Sequence, residues 1–397
     1  MGRLGGATTH IIMMNIAQHR KSALSSEAMR TLTAMLVDGP GEWHVGEVDL
    51  DPPKAGEVLV RLVASGLCHS DDHFATGDIR TGIYPYAGGH EGGGIIEEVG
   101  EGVTTLRPGD HVVTVFVPAC GRCRWCASGA QNLCDNGHRM LAGSQLDGTF
   151  RMHFDGRDVG QAGCISTFSQ FSVMPAASCV KIDADIPLDV ACIVGCGVPT
   201  GWGSAVRAAS IAPGDVVVVM GAGGVGMCAV QGARHVGAAH VVAVDPVAFK
   251  RELALELGAT EAFATIAEAT DFARQHTNGQ GADSAIVTVG VACGDDLAAA
   301  FAAIRKGGTV VATAAAADST VGIPVSLLEL TMYQKRIQGA LYGMGSPARE
   351  IPVLLDLYRL GRLKLDEMIT KRYALDEINT AYADMHDGLN IRGVITF

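Results

Sequence analysis

Two patterns of apolar residues meet near Pro199, and they predict two kinds of domain. Before this point the apolar runs are short and separated by glycine turns, which is typical of an irregular, barrel-like β domain. Its predicted strands are Leu32–Val37, Val58–Ala64, Gly92–Val99 and His111–Phe116. Beyond this point strands and helices alternate, which predicts a doubly wound parallel sheet and an α/β fold. Its predicted strands are Val216–Met220, His240–Val244, Ala285–Val289 and Thr309–Thr313.

The two ends of the chain complete this division into domains. Helices predominate after about Tyr342, and the strand-like segment Arg392–Phe397 closes the chain. Near the start, a short apolar stretch precedes positive charges, which is the reverse of a secretory signal peptide. We therefore expect a mobile N-terminal extension, or a functional start near Met29. The predicted divisions are an extension (1–28), a β domain (29–197), a parallel-sheet domain (198–341) and a return to the β domain (342–397).

Composition and charge exclude several classes of protein. The chain has 397 residues, of which 48% are apolar and 18% charged, as expected for a globular protein. Its formal net charge of −12 argues against nucleic-acid and anionic-membrane partners. No apolar run approaches the ~20 residues that span a bilayer. Since no secretory signal is recognisable, we expect a cytoplasmic location.

Four of the 11 cysteines crowd into one short segment, which we call the cysteine lobe (residues 118–136). They are Cys120, Cys123, Cys126 and Cys134. Four thiolates with no free position form a closed tetrahedral site, the kind that holds a structural zinc ion. Unrelated buried thiols are the alternative, but closely spaced cysteines on a glycine-rich loop cannot all pack as apolar side chains. The spacing therefore predicts a structural metal site.

A glycine-rich turn follows the first predicted parallel strand and opens a helix. It reads Gly221-Ala222-Gly223-Gly224-Val225-Gly226, which fits the dinucleotide pattern G-x-G-x-x-G. Gly221 makes the turn, Gly223 lets the backbone approach a pyrophosphate, and Gly226 permits close helix packing. Asp245 ends the next strand, where a carboxylate binds the ribose 2′-hydroxyl and repels a 2′-phosphate, and Lys250 can flank the same ribose. NAD is favoured over NADP, with a purely structural turn as the alternative.

A second set of candidate metal ligands comes from three separate segments. Cys68 lies in the segment 66–73, His90 is followed by Glu91 in a run of glycines, and Cys196 lies just before the parallel-sheet domain. Two cysteines and one histidine leave one position of a zinc ion open, as catalytic zinc sites do. Spacing alone does not unite these residues, and each could equally be an ordinary buried side chain.

Together these motifs resemble the zinc-dependent medium-chain alcohol dehydrogenases, from about Thr31 to Phe397. The resemblance implies a GroES-like β-barrel catalytic domain beside a Rossmann domain, two zinc ions (one catalytic, one structural) and NAD(H). Four segments are similar to nicotinoprotein alcohol dehydrogenases, which depend on nitrosodimethylaniline and keep NAD bound. These are 48–60, 118–129, 244–252 and 333–343.

The resemblance assigns the catalytic zinc to Cys68, His90 and Cys196. Glu91 is implied to approach the metal in some states, and Asp71 to orient His90. Coordination to zinc makes the alcohol hydroxyl more acidic, so that hydride can pass to NAD. These assignments rest on the match of motifs and remain expectations at this point.

The same resemblance implies roles around the metal. Ser70 accepts the hydroxyl proton, and His73 passes it on toward solvent. Phe116 and Phe168 match positions that line an apolar substrate channel, with ordinary core positions as the alternative for both. With the small Ser70, such a channel favours medium or aromatic primary alcohols. Further contacts with the cofactor are implied for His69, Thr200, Gly224, Val225, Val289 and Arg392.

Three hypotheses for the function stay open at this stage. The leading one is reversible hydride transfer between a primary alcohol and NAD, with NAD either exchanging or staying bound. A second is a thiol-cofactor-dependent formaldehyde dehydrogenase that oxidises an S-hydroxymethyl adduct. A third is a non-catalytic, zinc-free binding protein, against which the joint presence of all candidate ligands argues. For each enzyme hypothesis we expect a small-molecule substrate, no nucleic-acid or membrane partner, and a homo-oligomer.

Overall fold

The computed structural model describes residues 28–397, and the predicted extension lies outside them except for its last residue. The N-terminal part contains a closed barrel of five short strands. In order around the barrel these are β1 (Met29–Leu36), β2 (His44–Leu50), β7 (Met152–Phe154), β8 (Arg157–Gln161) and β4 (Tyr86–Ala87). The predicted irregular β domain is thereby confirmed, with more strands than the sequence indicated.

A seven-stranded sheet packs beside this barrel and carries several of the candidate site residues. Its path runs through β10 (Cys179–Ile182), β6 (His111–Thr114), β5 (Glu91–Val99), β3 (Glu57–Gly66), β18 (Arg392–Thr396) and β17 (Ile369–Tyr373), with β9 (Phe171–Pro175) paired to β3. Strand β3 pairs with both β5 and β18, so that Gly66 lies opposite Glu91 on one side and Val394 on the other. The end of β3 therefore lies between β5, from the N-terminal part of the chain, and β18, from its C-terminal end.

The third sheet has six parallel strands and is doubly wound, as predicted. Its order is β13 (Glu261–Phe263), β12 (His240–Val244), β11 (Val216–Met220), β14 (Ala282–Val287), β15 (Ile304–Ala312) and β16 (Arg336–Gly339). The direction of winding reverses between β11 and β14. Ligands of such sheets bind beside the carboxyl ends of the strands at this switch point.

Helices cover both faces of the parallel sheet and connect it to the rest of the molecule. Those of the N-terminal part are α1 (His69–Thr76), α2 (Arg124–Ala127), α3 (Leu188–Ala191) and α4 (Gly197–Gly203). Those of the sheet domain are α5 (Gly224–His235), α6 (Ala248–Glu256), α7 (Ile266–His276), α8 (Gly294–Ala303) and α9 (Leu327–Met332). The C-terminal part adds α10 (Pro347–Arg359) and α11 (Ile378–His386). No helix within residues 28–397 is long and apolar enough to cross a membrane.

Strands β17 and β15 differ from the sequence expectation for physical reasons. Strand β17 falls in the region where helices were expected to predominate, and its three central residues are exposed at the edge of the sheet. Such an edge strand lacks the continuous apolar run by which a buried strand is predicted from sequence. Strand β15 begins at Ile304 rather than at Thr309. The additional residues were missed because they include two charged residues and two glycines, which carry no apolar strand pattern.

One continuous core joins the nucleotide side of the molecule to the catalytic side. Val198 and Trp202 of α4, Met227 and Ala233 of α5, and Leu354 of α10 belong to the same cluster of buried apolar side chains. Burial of such side chains contributes roughly 25 cal/mol per Å² of apolar surface. The two halves are thereby packed together around a cavity of about 880 Å³ that both of them line.

Candidate active site between the two sheets

The three separate segments with candidate ligands converge at one buried point beside the cavity. Cys68 precedes α1, Glu91 begins β5 directly after His90, and Cys196 precedes α4. One potential ligand atom from each of these four residues lies within 4.8 Å of the others, and all four side chains are buried. We call this set the inner cluster. The mutual distances suit zinc, whose bonds to sulfur and nitrogen are ~2.0–2.3 Å long.

Asp71 fixes the orientation of the His90 imidazole through a contact with its Nδ1 atom. Asp71 Oδ2 lies 2.8 Å from His90 Nδ1, and the Gly89 N–H donates to Asp71 Oδ1 at 2.9 Å. Nε2 of His90 is therefore the ring nitrogen left for a metal, as in carboxylate–histidine–zinc arrangements. Burial alone would lower the pKa of His90, but Asp71 and Cys68 carry it well above its ordinary value. The sequence expectation for Asp71 corresponds to this geometry.

Glu91 and Arg392 form a buried ion pair beside the cluster. The other carboxylate oxygen of Glu91 accepts a hydrogen bond of 2.9 Å from the N–H of Gly197. Burial raises the pKa of Glu91, and the cation of Arg392 opposes that rise. Glu91 is thus paired with Arg392 while one of its oxygens lies within 4.8 Å of the other potential ligand atoms of the inner cluster.

The two thiols of the inner cluster influence each other strongly. A hydrogen bond from Cys196 holds the pKa of Cys68 well below its usual range, and the same bond together with burial raises the pKa of Cys196. One thiolate therefore forms readily at this point. A divalent cation would replace the remaining thiol proton, because metal ligands must be deprotonated.

The cysteine lobe offers a second, separate set of four sulfur ligands within 4.8 Å of one another. Sγ of Cys123 lies 3.9 Å from Sγ of Cys134, close to the ~3.8 Å edge of a ZnS₄ tetrahedron. Backbone N–H groups of Cys120, Cys123 and Cys126 donate to the sulfurs. Such hydrogen bonds from Cys126 and Asp135 lower the pKa of Cys123 to about 6. Backbone hydrogen bonds thus favour a thiolate at Cys123, whereas burial raises the pKa of Cys126 to about 12.

The glycine turn and Asp245 form the far end of the cavity. Gly221 has a φ of +100°, and a Cβ there would lie 2.7 Å from the carbonyl of Thr288. A Cβ on Gly226 would overlap the carbonyl of Gly221, whereas a Cβ on Gly223 would meet nothing within 4 Å. Gly223 therefore leaves open space where a pyrophosphate needs it, at the N-terminus of α5.

Both carboxylate oxygens of Asp245 are fixed by backbone donors. The N–H groups of Ala222 and Val247 donate to them, each at 2.9 Å. Each oxygen keeps acceptor capacity toward the cavity, which suits a ribose hydroxyl. The other sequence-predicted cofactor residues that line the cavity are His69, Thr200, Gly221, Gly223, Gly224, Val225, Lys250, Val289 and Arg392.

The two candidate proton-handling residues also lie at the cavity wall. Oγ of Ser70 is 3.6 Å from Sγ of Cys68, which places this hydroxyl next to the inner cluster. His73 lies one turn further along α1, and its Nδ1 is bonded to Asp78 at 3.1 Å. Asp78 was not anticipated from the sequence, although its position just after the helix-ending Gly77 is a signal that could have found it.

The structure separates the two candidate pocket phenylalanines. Phe116 lines the cavity, and its ring packs edge-on against His90 with 5.6 Å between ring centroids. Phe168 is instead fully buried between Trp43 and Tyr382 and lies outside the cavity lining, because the backbone of Phe168 is pinned between Ala34 and Gly88. The assignment of Phe168 to the channel is therefore corrected to a core position.

Several apolar residues of the pocket were missed by the sequence analysis. They come from three distant segments, and no periodic pattern marks them. Beside Phe116 they are Phe74, Ile79, Met140, Leu141, Leu341 and Tyr342.

Comparisons with known proteins agree with this geometry. Residues 54–184 match the family described as "Alcohol dehydrogenase GroES-like domain", and residues 224–359 match "Zinc-binding dehydrogenase". The chain is 49% identical, over 92% of its length and 99% of the relative's, to the "NDMA-dependent alcohol dehydrogenase" of Amycolatopsis methanolica. The chain belongs to the zinc-dependent medium-chain alcohol dehydrogenases.

Other alcohol dehydrogenases are similar over a comparable share of the chain. "Putative alcohol dehydrogenase D" of Mycobacterium tuberculosis is 49% identical over 92% of this chain and 100% of its own. The solved benzyl alcohol dehydrogenase of Acinetobacter calcoaceticus superposes with a TM-score of 0.86 at 29% identity, covering 93% of this chain and 99% of the other. As a member of the family the protein is an oxidoreductase that acts on a small molecule, and the family implies zinc and NAD(H).

Proposed function

We propose that the protein oxidises primary alcohols to aldehydes with an NAD molecule that stays bound between turnovers. A second substrate or an external acceptor would then reoxidise the NADH. The observation that carries this proposal is the single cavity of about 880 Å³ that runs from the inner cluster to Asp245 and Lys250. Its volume and the polar residues at its two ends suit a dinucleotide with its reactive end at the inner cluster. The 49% identity to an NDMA-dependent relative supports the bound state of NAD.

Two sets of contacts join chain segments that flank the cavity. The backbone N–H of Asp318 donates to the carbonyl of Asp78 at 2.9 Å, and Arg80 pairs with Asp318 at 3.4 Å. At the other end, a Cβ on Gly388 would lie 3.7 Å from Nζ of Lys250, and both residues line the cavity. We propose that these contacts slow the release of a bound dinucleotide, because site opening then requires the segments to move apart.

In this proposal the residues divide the work of binding and proton transfer. Cys68, His90 and Cys196 would hold a zinc ion and Asp245 the adenosine ribose, with zinc acidifying the alcohol and NAD accepting hydride. Ser70 accepts the hydroxyl proton, and His73 receives it at the cavity wall. The cysteine lobe would hold a second zinc ion, giving two per chain.

The apolar wall of the cavity limits the substrate class. Phe116, Met140 and Leu341 surround the space beside the inner cluster, and Ser70 is small. Such a wall favours medium-length and aromatic primary alcohols, because their apolar parts gain most from burial. The structural similarity to a benzyl alcohol dehydrogenase supports benzyl alcohol as the first compound to assay.

Nucleotide content tests the central proposal. Purified protein is desalted extensively and denatured, and the released NAD(H) is quantified per chain. We expect about one per chain, and activity with benzyl alcohol and an artificial acceptor without added NAD. A value near zero with activity that needs added NAD would show an exchanging coenzyme. Formaldehyde oxidation that appears only with an added thiol would favour the formaldehyde dehydrogenase hypothesis instead.

We also propose that the protein is a homo-oligomer. Strand β16 is an edge strand of the parallel sheet, and its backbone is available for pairing. Next to it, α9 exposes Leu327, Leu328 and Met332, each more than two-thirds accessible. Light scattering measures the mass directly, and Leu328→Glu is expected to shift it toward that of one chain.

A further inference from the structure

His73 is a buried histidine with only one ring nitrogen in use. Its side chain is 2% exposed and lines the cavity. Nδ1 lies 3.1 Å from Oδ2 of Asp78, whereas Nε2 has no hydrogen-bond partner within the described residues 28–397. A buried polar nitrogen without a partner costs about 1–3 kcal/mol, so this position calls for a functional explanation.

Asp78 is itself held firmly in place. Helix α1 ends at Thr76, and Gly77 turns the chain with a φ of +81°. The hydroxyl of Thr76 donates to Asp78 Oδ2 at 2.9 Å, and the Asp318 N–H donates to the Asp78 carbonyl. Hydrogen bonds from His73 and Thr76 hold the pKa of Asp78 below its usual range. The carboxylate therefore stays charged and keeps a fixed position relative to the ring.

We infer that Asp78 is a positioning residue that holds His73 as the Nδ1–H tautomer, with the lone pair of Nε2 free to accept the substrate's proton. The nitrogen that carries the proton of a neutral histidine is set by the partner of the other nitrogen. A carboxylate accepts but cannot donate, so it selects the proton on Nδ1. Without Asp78 the ring is free to place its proton on Nε2, where it would block the transfer.

This inference rests on the proposed function and keeps the proton balance closed. In alcohol oxidation, Nε2 gains the proton that the hydroxyl loses, and the resulting imidazolium is stabilised by the Asp78 carboxylate. When a second substrate is reduced, the same Nε2–H would return that proton. His73 and Asp78 are unchanged after both half-reactions.

Other ionisable groups at this wall of the cavity do not replace Asp78. His69 lies nearby on α1 but is not hydrogen-bonded to His73 within the described residues. Asp72 is engaged by His386 at 2.7 Å, and Asp318 directs its carboxylate toward Arg80. Asp78 is the acid whose carboxylate contacts the His73 ring in this part of the chain.

The tautomer of His73 can be read without turnover. Protein labelled with ¹⁵N-histidine is examined by NMR near pH 8, and the His73 signals are identified by their loss in His73→Gln. We expect the Nδ1–H form in the wild type and a predominantly Nε2–H ring in Asp78→Ala. Asp78→Glu should restore the Nδ1–H form, whereas Asp271→Ala, at an exposed aspartate of α7, should change nothing. An unchanged tautomer in Asp78→Ala overturns the inference.

Kinetics provide the second readout. Single-turnover oxidation of benzyl alcohol should be slowed about tenfold near pH 6.5 in Asp78→Ala and regain most of its rate near pH 9, where hydroxide substitutes for the ring. Asp78→Glu should recover most of the rate at the lower pH. Equal slowing at all pH values, without rescue, would indicate a structural role and overturn the inference. A wild type that oxidises no alcohol would overturn the proposed function as well.

Discussion

The inner cluster and the cysteine lobe both gather cysteines, but they are assembled in opposite ways. The lobe takes all its ligands from one short segment, and three of its four cysteines are partly exposed while Cys134 is buried. The inner cluster takes its ligands from the starts of α1, β5 and α4, and all of them are buried. The lobe can form from local chain conformation alone, whereas the inner cluster exists only after β3, β5 and α4 have packed together.

The groups that stabilise the two clusters electrostatically differ in the same way, being local for the lobe and drawn from separate segments for the inner cluster. Backbone N–H groups of the loop itself stabilise the sulfurs of the lobe. The inner cluster is surrounded by charged side chains, with Asp71 behind His90 and Arg392 beside Glu91. A site of the first kind serves stability. A site of the second kind can tune a bound ligand and leaves one position open for a substrate.

Cys68→Ser is expected to have the largest effect on activity. Loss of one ligand at a three-ligand site releases the catalytic metal, and turnover should fall by ~10³-fold or more. Zinc content measured by plasma mass spectrometry should drop from two per chain to one, while the melting temperature changes little. A variant that keeps both zinc ions and its activity would show that Cys68 is only a buried thiol.

Cys123→Ser tests the role of the cysteine lobe. We expect the second zinc ion to be lost and the melting temperature to fall by roughly 3–5 °C, equivalent to about 3 kcal/mol for a chain of this size. The rate of hydride transfer in the remaining folded protein should stay within about threefold. Cys293→Ser, at an exposed cysteine outside both clusters, is the matched control and should leave the melting temperature unchanged.

Asp71→Asn tests whether the side chains around the inner cluster affect zinc binding and activity in addition to the ligands themselves. The change removes the negative charge behind His90 while preserving the shape of the side chain. Zinc affinity or activity should decrease by roughly 10–100-fold, because outer partners of metal-bound histidines have effects of this size. Zinc exchange measured with a chromophoric chelator should be faster at the inner cluster and unchanged in the lobe. Equal exchange at both sites would remove the distinction between them.

The contrast between the clusters also explains how much could be predicted from the sequence. The lobe and the glycine turn are local, so their spacing alone carries the prediction. The union of Cys68, His90 and Cys196 required a resemblance, because it depends on how β3, β5 and α4 meet. The edge strand β17 was missed since its exposed central residues carry no apolar signal.

The pocket was the least predictable part for the same physical reason. Phe116 and Phe168 are equivalent as sequence signals, yet one lines the cavity and the other packs against Trp43. Met140 and Leu341 reach the cavity from distant segments and follow no period. Only tertiary packing determines which apolar side chains remain at a cavity wall.

His73→Gln is expected to have the smallest effect, and it separates the chemistry of the inner cluster from its metal. Oxidation should slow about tenfold below neutral pH and only slightly at alkaline pH, because a glutamine cannot accept the proton that hydroxide can still remove. Both zinc ions should remain, since His73 is bonded to Asp78 and is not part of the inner cluster. Turnover between pH 6 and 9 and zinc content are measured on the same preparation. If zinc is lost, His73 supports the structure of the cluster, and the proton route must be sought elsewhere.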